Sequence, residues 1–161
     1  MTYTDKPWLK SYFIGPFKLP KSMEPYPQIP VTKFLDDAAT NYPDNVACMY
    51  LEKKITYKQL KLQVDKLATA LAELGVKKGD YVATVLPSCP QFIVSDYAIM
   101  QLGAVHVPLS ILHQAPELQY ELNEAGVETV ICSYRRLERV NAIKNETKLF
   151  ENFMCHLSDI F

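Results

Sequence analysis

The sequence predicts an α/β fold in which strands and helices alternate along the chain. Three observations support this: apolar residues recur at helical spacing in residues 60–74, short apolar runs such as YVATVL (81–86) lie between helical segments, and glycine or proline separates successive elements. Strand–helix–strand alternation with short turns implies parallel pairing through right-handed crossovers. We therefore predict a doubly wound, mainly parallel layer.

Residues 1–30 differ from the rest of the chain. They hold six of the eleven prolines and six aromatic residues, among them Trp8. Proline disfavours regular structure, whereas a disordered linker carries few aromatic residues, so we predict an extended arm laid against a folded surface. That surface is either its own domain, which we favour, or a second protomer. We divide the chain into this arm and an α/β unit over 31–161.

The first elements after the arm follow from local signals. Residues 32–42 predict a helix ended by Pro43, and residues 46–52 predict a strand that turns at 53–54 into a second strand, 55–56. Thr56 and Gln59 form a capping box, which starts a helix that Gly75 closes. Residues 81–86 then predict a buried strand.

The second half repeats the alternation. A helix begins near Pro90 and stops at Gly103, and residues 104–107 form a short strand before Pro108. Residues 116–125 form a helix with proline in its first turn and Gly126 after its end. We predict a strand over 127–132, a helix over 134–144 and a last strand from residue 153.

The sequence offers no catalytic, cofactor-binding or metal-binding residue that we can assign. Its five glycines are isolated, so no glycine-rich loop can bring backbone N–H groups to a phosphate, and a flavodoxin-like nucleotide site is disfavoured. His106, His113 and His156 share no ligand spacing with the cysteines. We expect His106 to be packed and hydrogen-bonded, Ser88 to cap a helix, and Cys89 not to act as a nucleophile.

Charge and cysteine content narrow the class of protein. The net charge of -1 provides no overall field for nucleic acid or anionic lipid. We interpret the basic group of the 134–144 helix as a solvated outer face; it comprises Arg135, Arg136, Arg139 and Lys144. The four cysteines lie in apolar runs, as buried thiols of a reducing compartment do. With no signal peptide and no membrane-spanning run at the N-terminus or elsewhere, we expect a cytoplasmic protein, and peripheral contact with a membrane stays open as an alternative.

Four collinear stretches resemble the N-terminal part of the adenylate-forming, AMP-binding superfamily. Residues 55–60 (ITYKQL) are similar to its (L/I)TYxEL motif, and residues 74–92 (LGVKKGDYVATVLPSCPQF) resemble a segment of the form LGVKKGDRVALLLPNCPEF. Residues 100–110 (MQLGAVHVPLS) and 116–131 (PELQYELNEAGVETVI) resemble two further motifs. The opening, with Lys6-Pro7-Trp8 and FLDDAATNYPDNVA (34–47), is similar to long-chain fatty-acid–CoA ligases.

This resemblance implies the N-terminal portion of an AMP-forming acyl-CoA synthetase. Such enzymes use MgATP to convert a fatty acid to an acyl-adenylate, then transfer the acyl group to coenzyme A. The phosphate loop, the magnesium ligands and the late lysine of the family lie beyond the similar segment. We therefore expect ATP, Mg²⁺ and coenzyme A to serve a complete enzyme, and none to be bound by this segment, which alone is inactive. The alternative is a non-catalytic partner-binding module, for example a homodimer through the arm.

Three residues depart from the family pattern. Ile111 stands where proline is common, His106 where an apolar residue is usual, and Asp96 where a small or aromatic residue is common in an otherwise apolar helix.

Overall fold

A computed structural model describes residues 13–14, 17–18, 24–149 and 151–155 of the chain. Within these ranges the strands are β1 (Phe13–Ile14), β2 (Phe17–Lys18), β3 (Val46–Tyr50), β4 (Lys53–Thr56), β5 (Tyr81–Val85), β6 (Val105–Pro108), β7 (Thr129–Ser133) and β8 (Glu151–Cys155). The α-helices of the same described residues are α1 (Thr32–Asn41), α2 (Tyr57–Glu73), α3 (Pro90–Gln101), α4 (Ala115–Ala125) and α5 (Leu137–Ile143). Single 3₁₀ turns flank α5.

The main sheet has four strands in the order β6-β5-β7-β8, and each neighbouring pair is parallel. The predicted doubly wound, mainly parallel layer is confirmed. Successive side chains of β5 and β7 point to opposite faces of the sheet, and both faces are apolar. On one face Val82 and Ile131 join the core beneath α2 and α3. On the other face Val85 and Cys132 join the core beneath α4 and α5.

The capping box at the start of α2 is confirmed. The Thr56 hydroxyl accepts from the Gln59 backbone N–H at 3.3 Å, and Gln59 Oε1 accepts from the Thr56 backbone N–H at 2.9 Å. This fixes where the β3–β4 hairpin ends and α2 begins. The buried side of α2 then consists of Leu60, Val64, Ala68 and Leu71.

The turn of the hairpin was placed wrongly from the sequence. Residues 51–52, rather than 53–54, form the turn, and Leu51 and Glu52 both adopt left-handed backbone angles, with φ of 46° and 66°. A two-residue turn with left-handed backbone angles matches the twist of two paired antiparallel strands. The pairing of β3 with β4 therefore determines the position of the turn, although leucine and glutamate do not favour these angles. Lys53 and Lys54 consequently belong to β4, where they pair with Tyr50 and Met49.

Other boundaries shifted by one to three residues. The strand predicted over 127–132 lies at Thr129–Ser133, because Val127 closes the end of α4 by donating its backbone N–H to Leu122 at 2.9 Å. The helix predicted over 134–144 is shorter, with 3₁₀ turns at both ends. The last strand begins at Glu151, two residues earlier than predicted.

Part of the arm contains regular structure after all, since β1 and β2 form a short antiparallel pair. Residues 24–30 are all exposed, among them Tyr26 at 59%. The prediction that the arm lies against a folded surface concerns mainly residues outside those described, and it stays a prediction.

Candidate functional site

The carboxyl ends of β5 and β7 form the edge of the sheet where α/β proteins commonly bind ligands. The strand order reverses here, because the chain leaves β5 for β6 on one side and returns to β7 on the other. Beside this edge, β3 and the start of α3 enclose an open apolar groove of about 260 Å³. Its lining residues are Cys48, Met49, Tyr50, Ser88, Cys89, Pro90, Phe92 and Ile93.

Cys89, and not Ser88, occupies the position that precedes α3. The helix has no side-chain cap, so the capping role predicted for Ser88 is wrong. Pro90 explains this, because it removes one of the free N–H groups that a cap would satisfy. Burial raises the pKa of the Cys89 thiol, although the backbone N–H groups of Phe92 and Gln91 oppose the shift.

The other described thiols are equally poor nucleophiles. Burial raises the pKa of Cys48, which is only partly buried, and raises the pKa of Cys132 to about 11. Each thiol therefore stays protonated near neutral pH, which suits a structural role. The prediction of buried thiols holds for Cys89 and Cys132 and fails for Cys48, which lies on the exposed hairpin.

His106 lies at the centre of a polar cluster that joins three elements. Its Nδ1 lies 2.7 Å from Asp96 Oδ1 on α3, and its Nε2 lies 2.8 Å from Thr84 Oγ1 on β5. In the tautomer with the proton on Nδ1, this nitrogen donates to the Asp96 carboxylate and Nε2 accepts the Thr84 hydroxyl proton. The Phe92 ring packs beside the imidazole, with centroids 5.5 Å apart.

This cluster resembles an acid–histidine–hydroxyl triad in its contacts but not in its exposure. Thr84 is wholly buried, so a substrate cannot reach its hydroxyl. The hydrogen bonds of His106 therefore tie α3 to β5 and β6. The expectation of a packed, hydrogen-bonded histidine is confirmed, while its pairing with Asp96 was missed. A signal was present in the comparison with the family pattern, because Asp96 and His106, two of the three residues that depart from it, bond to each other.

A second histidine cluster lies on the opposite side of the sheet. His113 Nδ1 lies 2.9 Å from Glu121 Oε2, and Arg139 Nη1 donates to the His113 backbone oxygen at 3.0 Å. Arg139 is thus half-buried and tied to the loop before α4, whereas Arg135 and Lys144 are exposed as predicted.

The described residues do not fit a nucleotide phosphate or a magnesium ion. The turn after β5 contains prolines instead of glycines, and the isolated glycines that the structure describes occupy turns or helix ends. Within the described ranges, no group of three or more His, Cys, Asp or Glu side chains could hold a metal ion. No helix of that part is long and apolar enough to cross a bilayer.

The parallel sheet of order β6-β5-β7-β8 carries helices on both faces and follows a hairpin and a capped helix, which makes the chain a doubly wound α/β protein. Residues 35–157 match the model of the family described as AMP-binding enzyme. The chain belongs to the AMP-binding enzyme family.

Curated relatives agree with this assignment. A long-chain-fatty-acid–CoA ligase of Bacillus subtilis is 35% identical over 128 residues, which cover 80% of this chain and 22% of the relative. A ligase of the same name from Salmonella typhimurium is 26% identical over 155 residues, or 96% of this chain and 27% of the relative. The resemblance to long-chain fatty-acid–CoA ligases over the N-terminal portion is therefore confirmed.

Solved structures support the fold. The crystal structure of a long-chain-fatty-acid-CoA ligase from Archaeoglobus fulgidus superposes with a TM-score of 0.78 at 20% identity, over 90% of this chain and 32% of that one. The chain thus spans between about a fifth and a third of the length of these three proteins.

Proposed function

We propose that the chain is the N-terminal scaffold of an AMP-forming long-chain fatty-acid–CoA ligase. The observation that carries the proposal is the family match over residues 35–157 together with relatives named as such ligases. In this proposal residues 1–30 are an arm and residues 31–161 are part of the N-terminal α/β subdomain. The complete ligase uses a fatty acid, MgATP and coenzyme A, and acts in the cytoplasm.

The scaffold's own contribution is mechanical. Three parallel strand pairs and the buried cluster around His106 hold the strand ends at fixed positions, on which the parts of an active site can be supported. Because adenylation depends on aligning a carboxylate with a phosphate, a rigid support serves the reaction without any catalytic residue of its own. The segment alone is therefore inactive.

The test is to identify the native polypeptide in its source cells through a peptide from residues 55–75, and to assay the purified species. We expect a mass well above 18.4 kDa and ATP-dependent formation of acyl-CoA from a long-chain fatty acid. A species at 18.4 kDa without ligase activity would refute the proposal.

A second candidate is a non-catalytic module that associates through its arm. It is favoured by the exposed residues 24–30 and by the edges of the described sheet, because an open strand edge can pair with another chain. It predicts a defined homodimer of the 161-residue chain in sedimentation equilibrium, which deletion of residues 1–30 dissociates. A monomer at micromolar concentration would rule it out.

A further inference from the structure

An open groove of about 440 Å³ lies along α4 and the loop that precedes it. It is lined by His113, Pro116, Glu117, Tyr120 and Glu121. Tyr120 is 69% exposed, so most of this aromatic residue faces solvent. Tyrosine is among the residue types that contribute most at protein interfaces, so the groove has the character of a docking surface.

The groove carries negative charge. Glu117 and Glu121 stand one turn apart on α4, and the exposed Glu124 follows on the same side of the helix. No lysine or arginine occurs in α4. On the loop side, Arg139 donates to the His113 backbone oxygen at 3.0 Å, which holds that wall of the groove in place. A partner that fits this groove therefore combines an apolar group with positive charge.

The N-terminal arm has this chemistry. Residues 1–23 contain four lysines and one acidic residue, so their net charge of +3 leaves -4 on the remainder of a chain whose total is -1. Within the arm, the stretch Lys6-Pro7-Trp8-Leu9-Lys10 places the single tryptophan of the chain between two lysines. The groove presents the complementary pattern, an aromatic residue between two glutamates.

We propose that residues 6–10, which lie outside the described residues, dock in the groove along α4 of the same chain. The indole of Trp8 packs against Tyr120, and the flanking lysines pair with the two glutamates. Within the chain, Glu117 and Glu121 are each bonded through Oε2, to the Gln114 backbone N–H and to the His113 ring. Oε1 of each carboxylate can therefore accept from a lysine ammonium group.

The length of the arm permits this contact. Even with β1 and β2 paired, the segments 10–13 and 18–24 together span about 30 Å when extended, which is about twice the radius of gyration expected for a chain of this size. The arm can therefore reach either face of the sheet.

The groove between β3 and the start of α3 suits the arm less well. Among the described residues, those that line it include no carboxylate. Lys54 and Lys58 are exposed on the adjoining β4 and α2, so the lysines of the arm would meet like charge there. The inference concerns only where the arm binds, and it does not depend on the proposed ligase activity.

The test is cross-linking of the native chain with a water-soluble carbodiimide, which joins a lysine to a carboxylate in direct contact. Peptide mapping should recover residues 6–10 joined to α4 within one chain. Lys6→Glu/Lys10→Glu should abolish this product, and adding Glu117→Lys/Glu121→Lys should restore it, because the charges are then exchanged.

The matched control for these charge changes is Glu52→Gln/Glu73→Gln, which removes two exposed carboxylates elsewhere and should cross-link like the native chain. Circular dichroism of each variant establishes that it is folded. The charge-reversed arm variant tests the proposal even if changes on α4 disturb the helix.

The fluorescence of Trp8 reports on the arm separately, because the chain contains no other tryptophan. Tyr120→Ser should raise the constant for quenching of Trp8 by acrylamide about twofold or more, since the aromatic contact is lost. High salt should raise it as well, by screening the ion pairs. Tyr42→Ser, at a tyrosine 60% exposed beyond α1, should leave it unchanged.

Equal quenching of the native chain and Tyr120→Ser, or absence of cross-links from the arm to α4 in the folded native chain, would overturn the proposal. Cross-links that join two chains and vanish on dilution would also overturn it, because the arm would then occupy the groove of a second copy.

Discussion

Replacing Asp96 by alanine removes the carboxylate that accepts a hydrogen bond from His106. The imidazole side chain is 8% exposed and the Asp96 side chain 37%, so water reaches the carboxylate but hardly reaches the ring. A hydrogen bond to a charged group contributes about 1.5–3 kcal/mol. Because Asp96 is partly hydrated, we expect Asp96→Ala to lower the free energy of unfolding by about 1.5 kcal/mol, at the lower end of that range.

His106→Leu perturbs the same cluster from its centre. It leaves the Thr84 hydroxyl, which is wholly buried, without the ring nitrogen at 2.8 Å. An unpaired buried hydroxyl costs about 1–3 kcal/mol. In the His106→Leu variant the Asp96 carboxylate has lost the ring to which it bonds. Adding Asp96→Ala to that variant should therefore lower the free energy of unfolding very little. The double variant should therefore be more stable than additivity predicts by about 1.5 kcal/mol.

The assay is urea unfolding followed by circular dichroism for the native chain, both single variants and the double variant. The control cycle is His113→Ala with Glu121→Ala, a pair at a similar distance whose side chains are 35% and 32% exposed. The coupling between His113 and Glu121 should stay below about 1 kcal/mol, because even a charged pair contributes no more than this at a solvated surface. The reasoning is refuted if the loss of unfolding free energy in the double variant equals the sum of the losses in Asp96→Ala and His106→Leu to within about 0.5 kcal/mol.

Burial raises the pKa of Cys132 from 9.0 to about 11, so the unfolded chain releases a proton that the folded chain retains. The free energy of unfolding should fall by up to about 3 kcal/mol as pH rises through that window, and Cys132→Ala should lack this component in unfolding curves recorded at several pH values. Thr56→Ala removes the cap of α2 and should cost about 1 kcal/mol in urea unfolding, whereas an unchanged midpoint would argue against the cap. Gly103→Ala should cost at least about 1 kcal/mol, since φ is +71° and a Cβ would lie 3.0 Å from Lys78 Cγ; equal thermal midpoints for both chains would contradict this. Ser95 Oγ is buried and has no hydrogen-bond partner among the residues that the structure describes, so Ser95→Ala should leave the thermal midpoint unchanged or raise it, and a large drop would reveal an internal water.

Local signals in the sequence were sufficient for most of the fold. The capping box at Thr56 and the glycine after α4 each satisfy backbone groups within a few residues, so they act independently of the tertiary structure. The turn at residues 51–52 is different, because its left-handed angles are imposed by pairing of β3 with β4 and not by residue preference. Val127 likewise has strand propensity but serves as the end of a helix.

The polar cluster could not be predicted from local sequence. Asp96 and His106 are ten residues apart on different elements, and only the packing of α3 on β6 brings their side chains together. Thr84 joins from β5 through the parallel register that places Val82 beside His106. Each residue by itself indicates a packed polar side chain, and only the three distances reveal one connected network.

The most direct test of the central claim, that this chain supplies scaffold without chemistry, is ATP–pyrophosphate exchange by the purified 161 residues in the presence of MgATP and a long-chain fatty acid. We expect no exchange above the rate without protein, while a complete ligase assayed in parallel exchanges readily. Exchange by the chain that depends on the fatty acid would contradict the account, because it would require nucleotide-binding and catalytic groups within these residues.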